Sequence, residues 1–234
     1  MASAPEASRA WLLAEHPGPW PHEAAEAGFP EPLAETVAAA AALGIRVQLI
    51  RRPGPVERLT PEQPRVMYAG WTAGDEPWLR RGTVAVGLDG TAQDLDLAAP
   101  GLDLAALAAG QEISFGEPTP GPVFLICGHA RRNACCGRLG VSLARTLADR
   151  YPGQVWQTTH VGGHRFAANL VILPHGLYYG PVGAAEAAAA IAAYGRGEIV
   201  VDRYRGRAGQ PRAVQEGEYG RLSQAGSLPV AALT

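Results

Sequence analysis

Three cysteines fall within the ten residues CGHARRNACC at 127–136, and three of the six histidines, His129, His160 and His164, lie in or soon after that stretch. Thiolates and imidazoles are the ligands of zinc and iron–sulfur centres. His160 and His164 bracket Val-Gly-Gly, and two adjacent glycines argue for a tight loop that bends both imidazoles toward one point. Cys135 and Cys136 stand before an expected helix start, where free N–H groups and a partial positive charge favour thiolate. Two thiolates and two imidazoles make a four-ligand metal site. Seven or eight residues separate Cys127 from Cys135 or Cys136, wider than a zinc knuckle uses. So long a loop suits a larger object such as a 2Fe–2S cluster, at which His can replace Cys. Cys127-Gly-His129 matches the first half of a Rieske motif, but its second half, C-x-x-H, is absent.

Competing chemistries are narrowed by what the chain lacks. All 20 basic residues are Arg, which removes phosphate-loop, Schiff-base and ammonium mechanisms. A phosphatase loop needs Arg six residues after its Cys, and Asn133 stands there after Cys127. A thiol-dependent oxidoreductase using Cys127 and a zinc-stabilised binding module remain as alternatives. Three cysteines make no disulfide framework, no membrane span or secretory signal stands out, and a reducing cytoplasm is the expected setting.

These residues must be positioned by short, punctuated elements, because Gly and Pro number 29 and 20. The first half reads as a strand at 10–15, a proline-rich loop from His16 to Pro21, a helix at 31–43 stopped by Gly44, and a strand at 45–52. Further strands are expected at 64–71 and within 79–90, with a turn at Asp89-Gly90, then a helix at 102–110 and a linker at 117–122. The second half repeats the order. A buried strand at 122–127 ends on Cys127, the side of an α/β sheet where sites form. A helix at 137–153 and a strand at 154–160 follow, then a hairpin over 165–182 turning at Pro174-His175-Gly176, a helix at 183–197 and a strand at 198–206. This α/β pattern predicts two thioredoxin-like lobes in tandem with mixed sheets. A single larger sheet is the alternative. Residues 1–116 form an acidic α/β lobe, 117–206 the lobe with the metal site, and 207–234 a loosely packed tail.

The segments CGHARRNACCGRLG, HVGGH and FAANLVILPHGLYYGPV, with WLLAEHPGPW near the N-terminus, resemble the sucrase/ferredoxin-like family over most of residues 10–205. The resemblance implies a thioredoxin-like 2Fe–2S ferredoxin whose cluster is held by Cys127, Cys136, His160 and His164. It makes Cys135 a non-ligand neighbour and leaves His129 as the rival ligand. Such a protein is an electron carrier or redox sensor rather than an enzyme. Two thiolates and two neutral imidazoles carry about two fewer negative charges than four thiolates, so the implied potential lies above that of plant-type ferredoxins. Reduction would then couple to proton uptake at a ligand imidazole. The word sucrase has no support in an obvious pair of carboxylates.

Charge divides the chain. Residues 1–115 carry 8 Arg against 15 acids and residues 116–234 carry 12 Arg against 7, a contrast of −7 and +5 within a net −2. Docking of the halves on each other is one consequence. A basic patch of Arg131, Arg132, Arg138 and Arg165 for an acidic redox partner protein is the other. Nucleic acid is not an expected partner at this net charge. Asn133 is expected to cap the loop or helix, Trp156, Tyr178 and Tyr179 to pack, and His175 to be solvated at a hairpin tip. His16 and Trp20 form a turn, with a cover over the site as the alternative.

Overall fold

A computed structural model describes residues 3–29, 33–55, 63–84 and 99–233. The first half supplies strands β1 (Ala10–Glu15), β2 (Arg46–Arg51), β3 (Arg65–Trp71) and β4 (Trp78–Val84), with helices α1 (Leu33–Ala42) and α2 (Leu104–Ala108). A two-residue strand, β5 (Glu117–Pro118), sits inside the expected linker and pairs with β4. The second half supplies β6 (Val123–Cys127), β7 (Val155–Thr158), β8 (Leu170–Leu173), β9 (Leu177–Tyr179), β10 (Glu198–Val200), β11 (Tyr204–Arg207) and β12 (Ser227–Pro229). Its helices are α3 (Val141–Arg150), α4 (Ala184–Gly195) and α5 (Arg212–Ala225).

Ten strands form one mixed sheet in the order β11-β9-β8-β6-β7-β2-β1-β3-β4-β5. The first strand of each half runs parallel to the second and antiparallel to the third, which forms a hairpin with the fourth. The halves meet where β2 and β7 pair antiparallel through Ile50↔Thr158 and Arg51↔Gln157. The sheet is therefore continuous, the arrangement weighed above as the alternative, while each half keeps the same internal strand order.

Alternation along the strands sorts the core into layers. On β1, Ala10, Leu12 and Ala14 pack with α1 and α2, while Trp11 and Leu13 face the other way. On β6, Phe124 and Ile126 pack under α3 and α4, while Val123, Leu125 and Cys127 join Trp11 and Leu13 in a second layer shared by both halves. That shared layer closes because the sheet curls. Gly176 and Thr72 adjoin β8 and β3, five strand spacings or roughly 24 Å apart in a flat sheet. Yet a Cβ on Gly176 would lie 3.2 Å from Thr72 Cβ.

Several expectations are corrected. The stretch 198–206 divides between β10, in a separate two-stranded sheet with β12, and β11 in the main sheet. The expected loose tail holds α5, whose Leu222 joins the core beneath α3 and α4. Residues 165–169 precede β8 as a short turn instead of extending the hairpin. His175 is half-buried, with Nδ1 against Tyr194 Oη, and burial pushes its pKa down to about 4. The turn expected at Asp89-Gly90 and the start of the helix at 31–32 lie outside the described residues.

Candidate metal centre

Strand β6 delivers Cys127 into the layer shared by both halves, fully buried. The loop after it returns through Asn133, whose Oδ1 accepts the N–H of Cys135 at 2.9 Å and so shapes the entry to the next helix. That helix opens with a π-turn over Cys136–Gly140 before α3, a local widening often found at functional sites. Gly140 makes the close approach possible: a Cβ there would stand 1.9 Å from the Cys127 carbonyl oxygen. Cys136 is thereby seated, buried, against Cys127, while Cys135 points out and is exposed.

The histidine loop follows β7. Gly162 and Gly163 both take positive φ, 95° and 65°, so the chain reverses between His160 and His164 as the glycine pair predicts. His160 is fixed by its backbone: its N–H donates to His129 Nδ1, and its carbonyl accepts from Arg46. The donor atoms of Cys127, Cys136 and His160 all lie within 4.8 Å of one another. His164 is exposed outside that group, its ring centroid 6.1 Å from that of His160.

His129 is 2% exposed, and both of its ring nitrogens are engaged. Because Nδ1 accepts from His160, Nε2 carries the hydrogen that it donates to the Pro21 carbonyl at 2.8 Å. Burial lowers its pKa, consistent with this neutral tautomer. His129 is thus a brace for His160. Trp20 packs edge-on against His129 at 5.9 Å and donates to the His16 carbonyl, so the proline-rich loop does cover this flank.

Electrostatics favour one anionic sulfur, at Cys127, while the hydrogen bond to Cys127 and burial push the Cys136 thiol up. The Cys127 thiol is lowered, first by a hydrogen bond from Cys136, then by His160 and the backbone at His129 and Val161, against the opposing effect of burial. The His160 Nδ1 atom is buried and without a hydrogen-bond partner. An orphaned imidazole nitrogen beside two buried sulfurs fits a centre that binds metal through thiolate and imidazole. Two thiolates with imidazole suit either zinc or an iron–sulfur cluster.

One determinant was not visible in the sequence. Arg205 on β11, 3% exposed, donates to Asn169 Oδ1 at 2.5 Å and to Ser3, and its guanidinium fills the space a Gly163 side chain would need. Asn169 in turn donates to the Gly163 carbonyl at 3.3 Å. A buried cation thus braces the histidine loop. Only its residue type, one Arg among many, was available beforehand. All four arginines expected to form a patch are exposed, and Arg132 also pairs with Glu23 of the first half. Trp156, Tyr178 and Tyr179 are buried packing groups.

The fold and site together define a mixed α/β protein with a candidate thiol–imidazole centre at the end of strand β6. The sucrase/ferredoxin-like family model matches residues 1–206, and the chain belongs to that family. It is also similar to "Altered inheritance of mitochondria protein 32" of Meyerozyma guilliermondii, with 33% identity over 93 residues, covering 35% of this chain and 33% of that protein. The similarity therefore spans about a third of the curated relative's length. No solved structure shows significant similarity. No helix among the described residues is long and apolar enough to cross a membrane.

Proposed function

We propose that this chain is a 2Fe–2S electron-transfer or redox-sensing protein with Cys127, Cys136, His160 and His164 as cluster ligands. The observation that carries this reading is the convergence of Cys127, Cys136 and His160 within 4.8 Å, with His164 one glycine turn away. The exposed His164 would supply the fourth donor. The repeated strand order supports reading the halves as two thioredoxin-like lobes fused through β2 and β7. When bound, a 2Fe–2S cluster would supply one-electron redox chemistry. Cys127, Cys136 and the buried Nδ1 of His160 would hold it from the interior, and His164 from the exposed side. His164, exposed, is the donor placed to exchange a proton with water as the charge of the centre changes. The exposed Arg131, Arg138 and Arg165 would receive an acidic redox partner, in a reducing compartment that we read as cytoplasmic.

Anaerobic purification with iron, acid-labile sulfide and zinc assays tests the reading. About two iron and two sulfide per chain, with visible absorption that shifts in His160→Cys and His164→Cys variants, is the expected result. A colourless chain with about one zinc would replace it with a zinc-stabilised binding module. A metal-free chain would leave a thiol-dependent oxidoreductase. A midpoint potential independent of pH would refute the proton coupling.

A further inference from the structure

Beside His160, on the seam between the halves, lies a cavity of about 240 Å³. Its walls come from four places: the loop after β1 (His22, Glu23), β2 (Arg46, Gln48), the loop after β6 (Arg132) and the loop after β7 (Thr159, His160). Sites for drug-sized ligands run from roughly 300 to 1,000 Å³, so this space suits a compact ion and not a nucleotide or flavin.

The charges on its walls select the sign. Arg46 is half-buried over the Trp11 ring and bonds only neutral acceptors, Ser8 Oγ at 2.8 Å, Gln48 Oε1 at 3.1 Å and the His160 carbonyl at 3.3 Å; among the described residues no carboxylate pairs with it. Its positive charge is therefore uncompensated within the cavity. Arg132 reaches the same space and touches His22 Nδ1 at 2.8 Å. Its counter-charge, Glu23, is more than half exposed on the rim. The floor is already satisfied, with Thr159 hydrogen-bonded to Gln48 at 2.9 Å. What remains unmatched is cationic: two guanidiniums facing one carboxylate. Guanidinium forks are suited to oxyanions.

We propose that this seam cavity binds one compact oxyanion, a phosphate or a small carboxylate, held by Arg46 and Arg132 beside His160. The bound ion would bridge the two halves and lie against one side of the Cys127–His160 group. Glu23 competes with it for Arg132, so occupancy requires that ion pair to loosen.

Calorimetric titration of the full chain at low salt, with inorganic phosphate and separately with acetate, tests this. We expect one saturable site per chain; which anion binds more tightly tells phosphate from carboxylate. Arg46→Gln should weaken binding about ten-fold or more, and Glu23→Gln should tighten it several-fold, about three to ten, by removing the competing carboxylate. Arg196→Gln, a distant exposed arginine, should leave it unchanged. Absence of saturable heat with either anion overturns the proposal, as does wild-type binding in both Arg46→Gln and Glu23→Gln. Should Arg46→Gln fail to fold by circular dichroism, the rim variant Glu23→Gln decides. Metal analysis of the same sample reads the metal centre separately, so anion binding by a chain without iron would sustain this site while refuting the cluster.

Discussion

Gly140→Ala puts the geometry of the metal centre to its sharpest test. The added methyl would begin 1.9 Å from the Cys127 carbonyl oxygen and 2.8 Å from its carbon, both backbone atoms that no side-chain rotation can clear. Reaching the 3.0 Å below which real Cβ contacts are essentially not found takes a displacement of about 1.1 Å between the π-turn and the end of β6. Cys136 rides on that turn and Cys127 on that strand, so the two sulfurs must separate or tilt by a comparable amount. Metal sites tolerate ligand displacements of only about 0.2 Å. Overpacking of this kind costs about 1–3 kcal/mol, roughly 2–12 °C in melting temperature for a chain of this size. The expected outcome is a folded, less stable protein with most of its metal lost, read by metal analysis and thermal melting. Gly217→Ala is the control. Gly217 lies on α5 with nothing within 4 Å of an added Cβ, and alanine there should stabilise by about 0.5–1 kcal/mol. If Gly140→Ala keeps wild-type metal and melting temperature, the close approach does not position Cys136 and the argument fails.

Other outcomes follow from single contacts. His175 is neutral in both states above the ordinary pKa of 6.5; between there and its folded value of about 4 the unfolded chain takes up a proton that the folded chain refuses. Stability should fall by about 3 kcal/mol across that window, and the difference between wild type and His175→Asn in melting experiments should trace it. Glu218→Gln strands the buried Arg207, whose Nη2 lies 2.5 Å from the Glu218 carboxylate, and should cost about 3–5 kcal/mol in denaturant unfolding, most of it recovered in Arg207→Met with Glu218→Leu. Cys135→Ser should leave metal content unchanged while Cys136→Ser abolishes it, because only the second cysteine is buried against Cys127.

Strands with strong apolar runs were readable to within a residue or two, as Ala10–Glu15 and Val123–Cys127 show. The glycine pair between His160 and His164 and the density of cysteine marked the site directly. What escaped had no apolar period to betray it. Helix α5 buries Gln215, Glu218 and Leu222, a helical spacing carried mostly by polar side chains that hydrogen-bond inward. Arg205 carried no signal of its own, because its partners, Ser3 and Asn169, lie 202 and 36 residues away. The fusion of the halves rests on two residue pairs between β2 and β7, and no motif in either strand announces it. His164 stands apart from the three-atom group, although the glycine pair does turn the loop between it and His160.

Among the described residues the sheet has ten strands and two edges, and a row of unpaired peptide groups at a sheet edge is the usual template for self-association. One end is the two-residue β5, where Pro118 has no N–H to offer an incoming strand. At the other end the chain's own first residues lie along β11: Ser3 N–H donates to the Arg205 carbonyl at 2.7 Å, and Gly209 N–H donates to the Pro5 carbonyl at 2.9 Å. The same few residues that hold Arg205 therefore also act as a guard against polymerisation. Removing Ser3–Pro5 would uncover the lip of β11 and invite a second copy to add there.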